Sequence, residues 1–341
     1  MATINYADSY QQALQQAFYD GHLYSQALWN SPSNNIIKFD GAKHIKVPRL
    51  TIDEGRKTRT RRSITTPAAN YSNDWDSYEL KNERYWSTLV DPSDVDESNM
   101  VISIANITKQ FNLDEKMPEM DRQMFSSLYS EKQAANDGGI NTDTLDEKNI
   151  LIAFDTMMVN FDEQRIPSSN RFLYITPKMN AVLKRAEAMN RQMILTGNGT
   201  IQRTIYSLDD VTINVVPSDL MQTAFDFTTG SELLDDSKQI QMFLIYNGVQ
   251  IAPQKYSFVG FDEPTASNSG NWLYYEQSYD DVLLLKTKTK GIEFVVTDKT
   301  PATPPDTEQQ AAKLKVETKV EETQAEETKV EEKTTAAKKT K

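Results

Sequence analysis

AKHIKVPRLTID, residues 42–53, and WDSYELKNERYWSTLV, residues 75–90, read as two β-strands and decide the architecture of this chain. Their alternation is partial. Ile45 and Val47 share one parity, Leu50 and Ile52 the other, and Pro48 stands between them. A proline inside a strand marks a free edge or a bulge, because it has no N–H to give the ladder. A twelve-residue strand extends about 40 Å, as far as a compact domain is wide. A two-stranded ribbon is marginal in water, so one this long needs a body to lie on, either its own subunit or a neighbouring one.

Between the two strands, 54–74 is polar and contains Arg56-Lys-Thr-Arg-Thr-Arg-Arg62, five cations in seven residues with no acid among them. The chain as a whole carries a formal charge of −12, from 37 Lys+Arg against 49 Asp+Glu. A basic tip on an acidic protein fits nucleic acid, an acidic patch on another copy of the chain, or a solvated loop. Self-docking is favoured, because a like subunit is always present at high local concentration. The acidic balance argues against general affinity for DNA or RNA, which requires a positive face.

The 341 residues contain no cysteine and two histidines, which excludes disulfides, zinc–thiolate centres, iron–sulfur clusters and Cys nucleophiles, and disfavours a His cage or His base. No run of about 18 apolar residues occurs, and MATINYADSYQQAL lacks the pattern of a signal peptide. Residues 299–341 carry nine Lys and nine Asp+Glu, with no aromatic residue and no Ile. So little apolar surface cannot offset the entropy of ordering, and a solvated tail is expected there.

Elsewhere the pattern is α+β, without a regular βαβ repeat. Residues 6–29 carry a helical stripe (Tyr10, Leu14, Ala17, Phe18) interrupted at Gly21 and read as an arm, because no second element adjoins it. Residues 91–136 hold two helical patterns, Val101/Ile104/Ile107/Phe111 and Met120/Met124/Phe125/Leu128/Tyr129, stopped by Gly138-Gly139. A helix is expected over 143–163, a strand over 171–176, a helix from Pro177, and strands over 201–206, 211–216, 240–246, 249–259, 271–276, 281–287 and 292–297.

Catalytic constellations are weak. Gly197-Asn-Gly199 is not followed by the Lys-Ser/Thr of a phosphate loop. Asp91, Asp94 and Asp96 miss calcium-loop spacing and suit a helix start. Asp262-Glu263 and Asp280-Asp281 could form acid pairs, but no cleft locates them. His22 suits packing or surface, and His44 is expected to be exposed. Trp75, Tyr78, Tyr85, Trp86, Trp272, Tyr274 and Tyr275 suit a core or an interface before base or sugar stacking. No cofactor and no metal is implied, and an enzyme is not.

The order of parts, with the strings 75–91 (WDSYELKNERYWSTLVD), Glu119-Met-Asp121, Asp262-Glu-Pro-Thr-Ala266 and Tyr274-Tyr-Glu276 to Asp281, resembles the major capsid proteins of tailed, siphovirus-like bacteriophages, particularly those of Gram-positive hosts. The resemblance covers about residues 5–298. It implies the α+β Hong Kong 97-type capsid fold: an N-terminal arm (1–40), an extended β-hairpin or E-loop (41–91), a P-domain with a spine helix (92–140), an axial A-domain (141–252), a P-domain return with closing strands (253–298) and the 299–341 tail. It implies a structural protein that builds pentamers and hexamers of an icosahedral shell around double-stranded DNA, without sequence readout, with no membrane. Location in the virion capsid after assembly in the bacterial cytoplasm follows, as do a portal and, with no scaffolding segment visible, a separate scaffolding protein or prior cleavage. The inter-subunit contacts expected are Arg56, Lys57, Arg59, Arg61 and Arg62 at the tip and Trp75, Tyr78, Leu80 and Trp86 on the hairpin. Some family members crosslink Lys to Asn; Lys57, Asn268 or Asn271, and Glu276 match that set in residue type alone. The alternative class is an acidic cytoplasmic α+β enzyme or carbohydrate-binding protein with a basic loop.

Overall fold

A six-stranded sheet with helices against both faces organises the described part of the chain. The structure is a computed structural model and describes residues 22–41, 43–53, 55–59, 61–62, 69–97, 104–186 and 207–297. Residues 1–300 form one unit and 301–341 another. The expected helical stripe over 6–21, loop 196–200, strand 201–206 and the 299–341 tail lie outside the described residues.

In chain order, α1 (Gln26–Trp29) and a 3₁₀ turn (Pro32–Ile36) precede β1 (Lys38–Asp40), β2 (His44–Ile52), β3 (Tyr71–Glu79) and β4 (Glu83–Val90). Helices α2 (Pro92–Glu97) and α3 (Ile104–Phe111), then a π-helical turn (Asn112–Lys116), lead into the long α4 (Met117–Ala135). There follow β5 (Ile140–Asn141), α5 (Ile150–Glu163), β6 (Arg171–Ile175), α6 (Pro177–Arg185), β7 (Ser207–Leu208), β8 (Val211–Val215), and a small hairpin of β9 (Phe225–Asp226) and β10 (Glu232–Leu233). The chain continues through β11 (Ile240–Tyr246), β12 (Gln250–Ile251), β13 (Gln254–Asp262), β14 (Trp272–Asp280), β15 (Leu283–Leu284) and β16 (Ile292–Val296).

The main sheet has the order β5-β16-β11-β6-β8-β7. Its central strand β11, IQMFLIY, is apolar almost without interruption because both its faces are covered. Phe243 and Ile245 join Met124, Phe125 and Leu128 of α4 on one side. Met242 and Leu244 join Phe154, Met157 and Phe161 of α5 and Met179, Val182 and Leu183 of α6 on the other. The face toward α4 is aromatic: Tyr174 stacks on Phe243 at 4.8 Å, and Phe294 stacks on its other side at 5.1 Å.

Local signals set the helix ends. Thr176 caps α6, its hydroxyl accepting from the Met179 N–H, with Pro177 in the first turn. α4 ends at Asn136, which takes the left-handed conformation (φ 48°) one residue ahead of Asp137-Gly138-Gly139. The turn that follows is locked by Lys132. This fully buried lysine donates to Asp137 Oδ1 (2.7 Å) and to the Thr289 carbonyl (2.8 Å), which ties the end of α4 to the entry of β16.

Two strand boundaries, those of 75–90 and 249–259, are corrected. The 75–90 stretch is two strands. β3 pairs with β2, whereas β4 leaves it at Leu80-Lys81-Asn82 and pairs with β14. Within the described residues 22–40, the segment packs against the body. Leu28 is fully buried in the main core, and Ser31 and Ser33 donate from their hydroxyls to the carbonyls of Gln250 and Gly248 at 2.7 Å. The 249–259 strand candidate is likewise divided at Ala252-Pro253 into β12 and β13.

Candidate assembly surfaces

The β2–β3 ribbon is built as expected, with nine directly opposed pairs from His44↔Glu79 to Ile52↔Tyr71, about 30 Å of strand. β1 pairs only with His44–Lys46, so Pro48 lies on the free edge that its missing N–H requires. The parity change across Pro48 now has a physical meaning. At the base, Ile45, Val47 and Tyr78 face one way and are buried with Leu80, Ile251, Tyr279, Leu283 and Leu285. Directly opposed residues project on the same side of a sheet. Beyond the base the apolar positions therefore move to the opposite face, where Pro48 opposes Trp75, Leu50 opposes Asn73, and Ile52 opposes Tyr71. That strip is exposed: Leu50 by 68%, Ile52 by 71%, Tyr71 by 68% and Trp75 by 43%. On the other distal face Arg49 pairs with Asp74 (3.2 Å) and Asp76 (3.8 Å).

The hairpin residues predicted as inter-subunit contacts therefore divide. Tyr78 and Leu80 already have their partners inside the chain, and Tyr78 accepts a hydrogen bond from the Lys286 N–H at 3.1 Å. Trp86 lies on β4, its ring stacked on Phe111 at 3.9 Å and 6°. Within the chain, then, Tyr78 and Leu80 are buried at the ribbon base and Trp86 is half-buried against Phe111. Trp75 remains outward, with Lys38 Nζ 5.6 Å from its ring centroid. Arg56, Lys57, Arg59, Arg61 and Arg62 are all exposed beyond the strand ends, and Arg62 adopts a positive φ of 62°.

Of the residues matched to a crosslink, Asn268, Asn271 and Glu276 are each engaged within the chain. Asn268 is engaged within its own turn, accepting from the Thr265 N–H (2.6 Å) and donating to the Glu263 carbonyl (2.9 Å), and Asn271 donates to the Asn268 carbonyl (3.2 Å). Glu276 is buried toward the helix, where it accepts from Lys116 Nζ (3.0 Å) and the Tyr274 hydroxyl (2.8 Å). Burial first, and Glu276 second, push the Tyr274 phenol up to about 12.

Those bonds belong to a second three-stranded sheet, β13-β14-β4, which sequence reading left unconnected. One of its faces lies against α3, the π-helical turn and the start of α4, through Trp86–Phe111, Lys116–Glu276 and Arg84–Glu119 (2.8 Å). The opposite face carries Tyr85 and Leu89 of β4, Leu273 and Tyr275 of β14, and Tyr256 and Phe258 of β13, in register. Tyr85 is 73% exposed, Leu89 58%, Tyr256 48% and Phe258 45%. The odd-numbered spacing of Tyr85 and Leu89 was the only available signal.

Where the ribbon meets this sheet, the junction is acidic. Asp281 accepts from the N–H of Lys81 and of Val282, each at 2.8 Å. Asp280 is 7% exposed and accepts a long bond, 3.4 Å, from Asn82. Desolvation, then the neighbouring Asp281 charge, push the Asp280 carboxyl up to about 6. On α4, Asp121 is sealed from solvent and accepts from Ser25 Oγ (2.5 Å), Ser25 N–H (2.8 Å) and Tyr24 N–H (3.2 Å), which pins the incoming segment to the helix. His44 is exposed, as expected. Among the described residues no group of three or more His, Cys, Asp or Glu is placed to hold a metal ion, and no helix is long and apolar enough to cross a membrane.

No sequence family and no curated protein matches the chain. Solved structures do. The asymmetric unit of the bacteriophage PhiM1 mature capsid is 12% identical, aligns over 86% of this chain and 93% of its own, and gives a TM-score of 0.63. The capsid structure of cyanophage P-SCSP1u is 9% identical over 86% and 94%, at 0.62, and a structure from Mycobacterium phage Che8 is 12% identical over 88% and 100%, at 0.56. With a long helix crossing a mixed sheet, a projecting ribbon and a near-complete alignment to such chains, this protein has the α+β fold of phage capsid structures.

Proposed function

We propose that the chain is the major capsid protein of a tailed bacteriophage, of Hong Kong 97 type, which assembles into pentamers and hexamers of an icosahedral shell around double-stranded DNA. The observation that carries this reading is the change of face along the ribbon. Its base is apolar toward its own body, and its distal half is apolar toward the other side. Fully burying a large apolar side chain stabilises by about 1.5–3 kcal/mol, so covering Leu50, Ile52, Tyr71 and Trp75 offers about 4–8 kcal/mol per contact, before the cost of association. A surface of that kind is costly to a monomer and useful to a polymer.

The tip adds register. Arg56, Lys57, Arg59, Arg61 and Arg62 meet carboxylates of the next copy. Exposed ion pairs contribute about 0–1 kcal/mol each, but the same few recur at every contact of a closed shell and suppress misaligned ones. Strip and acceptor are different surfaces, so the contact is heterologous and closes by rotation into rings. The acidic balance of the chain lets packaged DNA slide instead of adhering, so no base readout is assigned. The role is structural. A portal, and a scaffolding protein or processed precursor, complete the assembly in the bacterial cytoplasm, and the 1–40, 41–91, 92–140, 141–252 and 253–298 divisions serve as arm, E-loop, P-domain, A-domain and return.

The test is electron microscopy and size-exclusion chromatography of the purified full chain, beside an Arg59→Glu/Arg61→Glu/Arg62→Glu variant. Shells or capsomers of several hundred kilodaltons are expected from the first, and folded, unassembled subunits from the second. A strictly monomeric unaltered protein refutes the capsid reading, and normal particles from the variant refute the role of the tip.

A further inference from the structure

Between the 29–39 segment, α4 and the bend from β12 to β13 lies a cleft of about 370 Å³. Its walls are apolar and partly aromatic: Trp29, Ile37, Phe39, Met120 and Pro253. Among its described lining residues the only charged side chain is Asp280, 7% exposed and bonded at length, 3.4 Å, from Asn82. Asn34 also borders the cleft, but its amide is used at both ends. Its Nδ2 donates to the Trp29 carbonyl and its Oδ1 accepts from the Ala252 N–H, each at 2.8 Å. Those bonds fix the walls and leave the Asp280 carboxyl as the group placed to take a ligand. Nearby cations are engaged elsewhere: Lys116 pairs with Glu276, Arg84 with Glu119, and Lys81 acts on Asp281. Asp280 and Asp281 are thus excess negative charge in a poorly hydrated place. Apolar walls around one or two placed polar groups are the usual build of a small-molecule site.

The lining selects the ligand. A carboxylate with a second carboxylate beside it repels anions. A divalent metal ion wants an oxygen cage, which one carboxylate among apolar walls does not supply. A cation carrying its own hydrocarbon satisfies both parts. We propose that this cleft binds a primary alkylammonium ion, its nitrogen donating to the Asp280 carboxylate and its carbon chain lying between Trp29, Ile37, Met120 and Pro253. Lys255 already stands 5.9 Å from the Phe39 ring centroid, so the ammonium group seats at the inner, Trp29 side, where an indole face favours a cation. Exposed Asn30 and Gln254 offer further acceptors to its remaining N–H groups. Such binding needs no second copy of the chain and is independent of the assembly reading. It requires the carboxyl ionised. Burial, then Asp281, keep Asp280 protonated up to about 6, with Glu119 adding to the rise and Lys116 opposing it, so binding near that pH expels a proton.

Isothermal titration calorimetry of the full chain, dialysed free of amines and held at physiological ionic strength, tests this with n-butylammonium chloride, beside 1-butanol as the neutral analogue. The expected result is saturable binding at pH 7.5, one ammonium ion per chain. Affinity should fall about tenfold or more with 1-butanol, with Asp280→Asn, and on lowering the pH to 4.5, since each removes a hydrogen bond to a charged group. Near pH 6, heats measured in two buffers of different ionisation enthalpy should show protons released on binding, a signature that diffuse attraction to an acidic protein lacks. No saturable binding of n-butylammonium overturns the proposal. So does 1-butanol binding as tightly, or an affinity unchanged in folded Asp280→Asn. If Asp280→Asn does not fold, the unaltered chain decides: an affinity that is flat from pH 4.5 to 7.5, with no proton release, overturns the site.

Discussion

Replacing Asp280 with asparagine should stabilise this protein at neutral pH and flatten its pH dependence. The carboxyl is buried at the ribbon junction, where a long hydrogen bond from Asn82 and a backbone N–H only partly offset burial and a second buried carboxylate, Asp281, lies next to it. Burial, then Asp281, lift it from 3.8 to about 6, with Glu119 adding to the rise and Lys116 opposing it. Each tenfold gain in proton affinity is worth 1.36 kcal/mol, so holding Asp280 ionised in the fold costs about 3 kcal/mol. The sign follows from proton counting. Between about 3.8 and 6 the folded chain keeps a proton that the unfolded chain has released, so stability is present at low pH and is lost as pH rises through this window. Asparagine copies the shape of the protonated acid and cannot ionise. Asp280→Asn should therefore gain about 1–3 kcal/mol at pH 7.5, about 2–6 °C in Tm for a chain of this size, and little at pH 4. Thermal unfolding of unassembled subunits from pH 4 to 8 reads both quantities. Asp281 and Glu131, each raised first by burial, keep part of the slope in the variant. A variant that is less stable at pH 7.5, or that keeps the full wild-type slope, refutes the account of this junction.

Leu80→Ala should cost about 2–5 kcal/mol by opening a cavity at the ribbon base, measured by urea unfolding, because Leu80 is 1% exposed. Leu50→Ser should leave stability within about 0.5 kcal/mol yet abolish particles in electron micrographs, since that side chain touches water in the lone subunit. Asp121→Ala strands the N–H of Ser25 and of Tyr24 and should cost about 1–3 kcal/mol, with hydrogen exchange rising over residues 24–29 ahead of the rest of the protein. Lys132→Ala removes the partner of the partly buried Asp137 and should destabilise by about 3–5 kcal/mol in the same unfolding assay.

The sequence reading recovered what local patterning encodes. The 117–135 helix shows its buried face at Met124, Phe125 and Leu128 because α-helical periodicity brings those positions together within two turns. Pro177 after Thr176 announces α6, and the unbroken apolar run 240–246 announces a strand covered on both sides. The cationic tip is legible as a charge run. The junction at Leu80-Lys81-Asn82 was not, because it contains no glycine or proline. The chain turns there since Leu80 is taken up by Ile251, Leu283 and Leu285, and Lys81 by Asp281, residues about two hundred positions away.

That same distance separates the two kinds of knowledge about the ribbon. Parity along 42–53 is a property of neighbouring residues, and it announces a strand whose apolar side switches at Pro48. Which side is already covered depends on Tyr279, Leu283 and Leu285 arriving from the far end of the chain, and that left Ile45 and Val47 buried and Leu50 and Ile52 facing solvent. Contacts between such remote positions leave no periodic trace in either segment. Folding alone therefore assigned Tyr78 and Leu80 to the core, left Trp86 half-buried against Phe111, and put Tyr85, Leu89, Tyr256 and Phe258 on the surface.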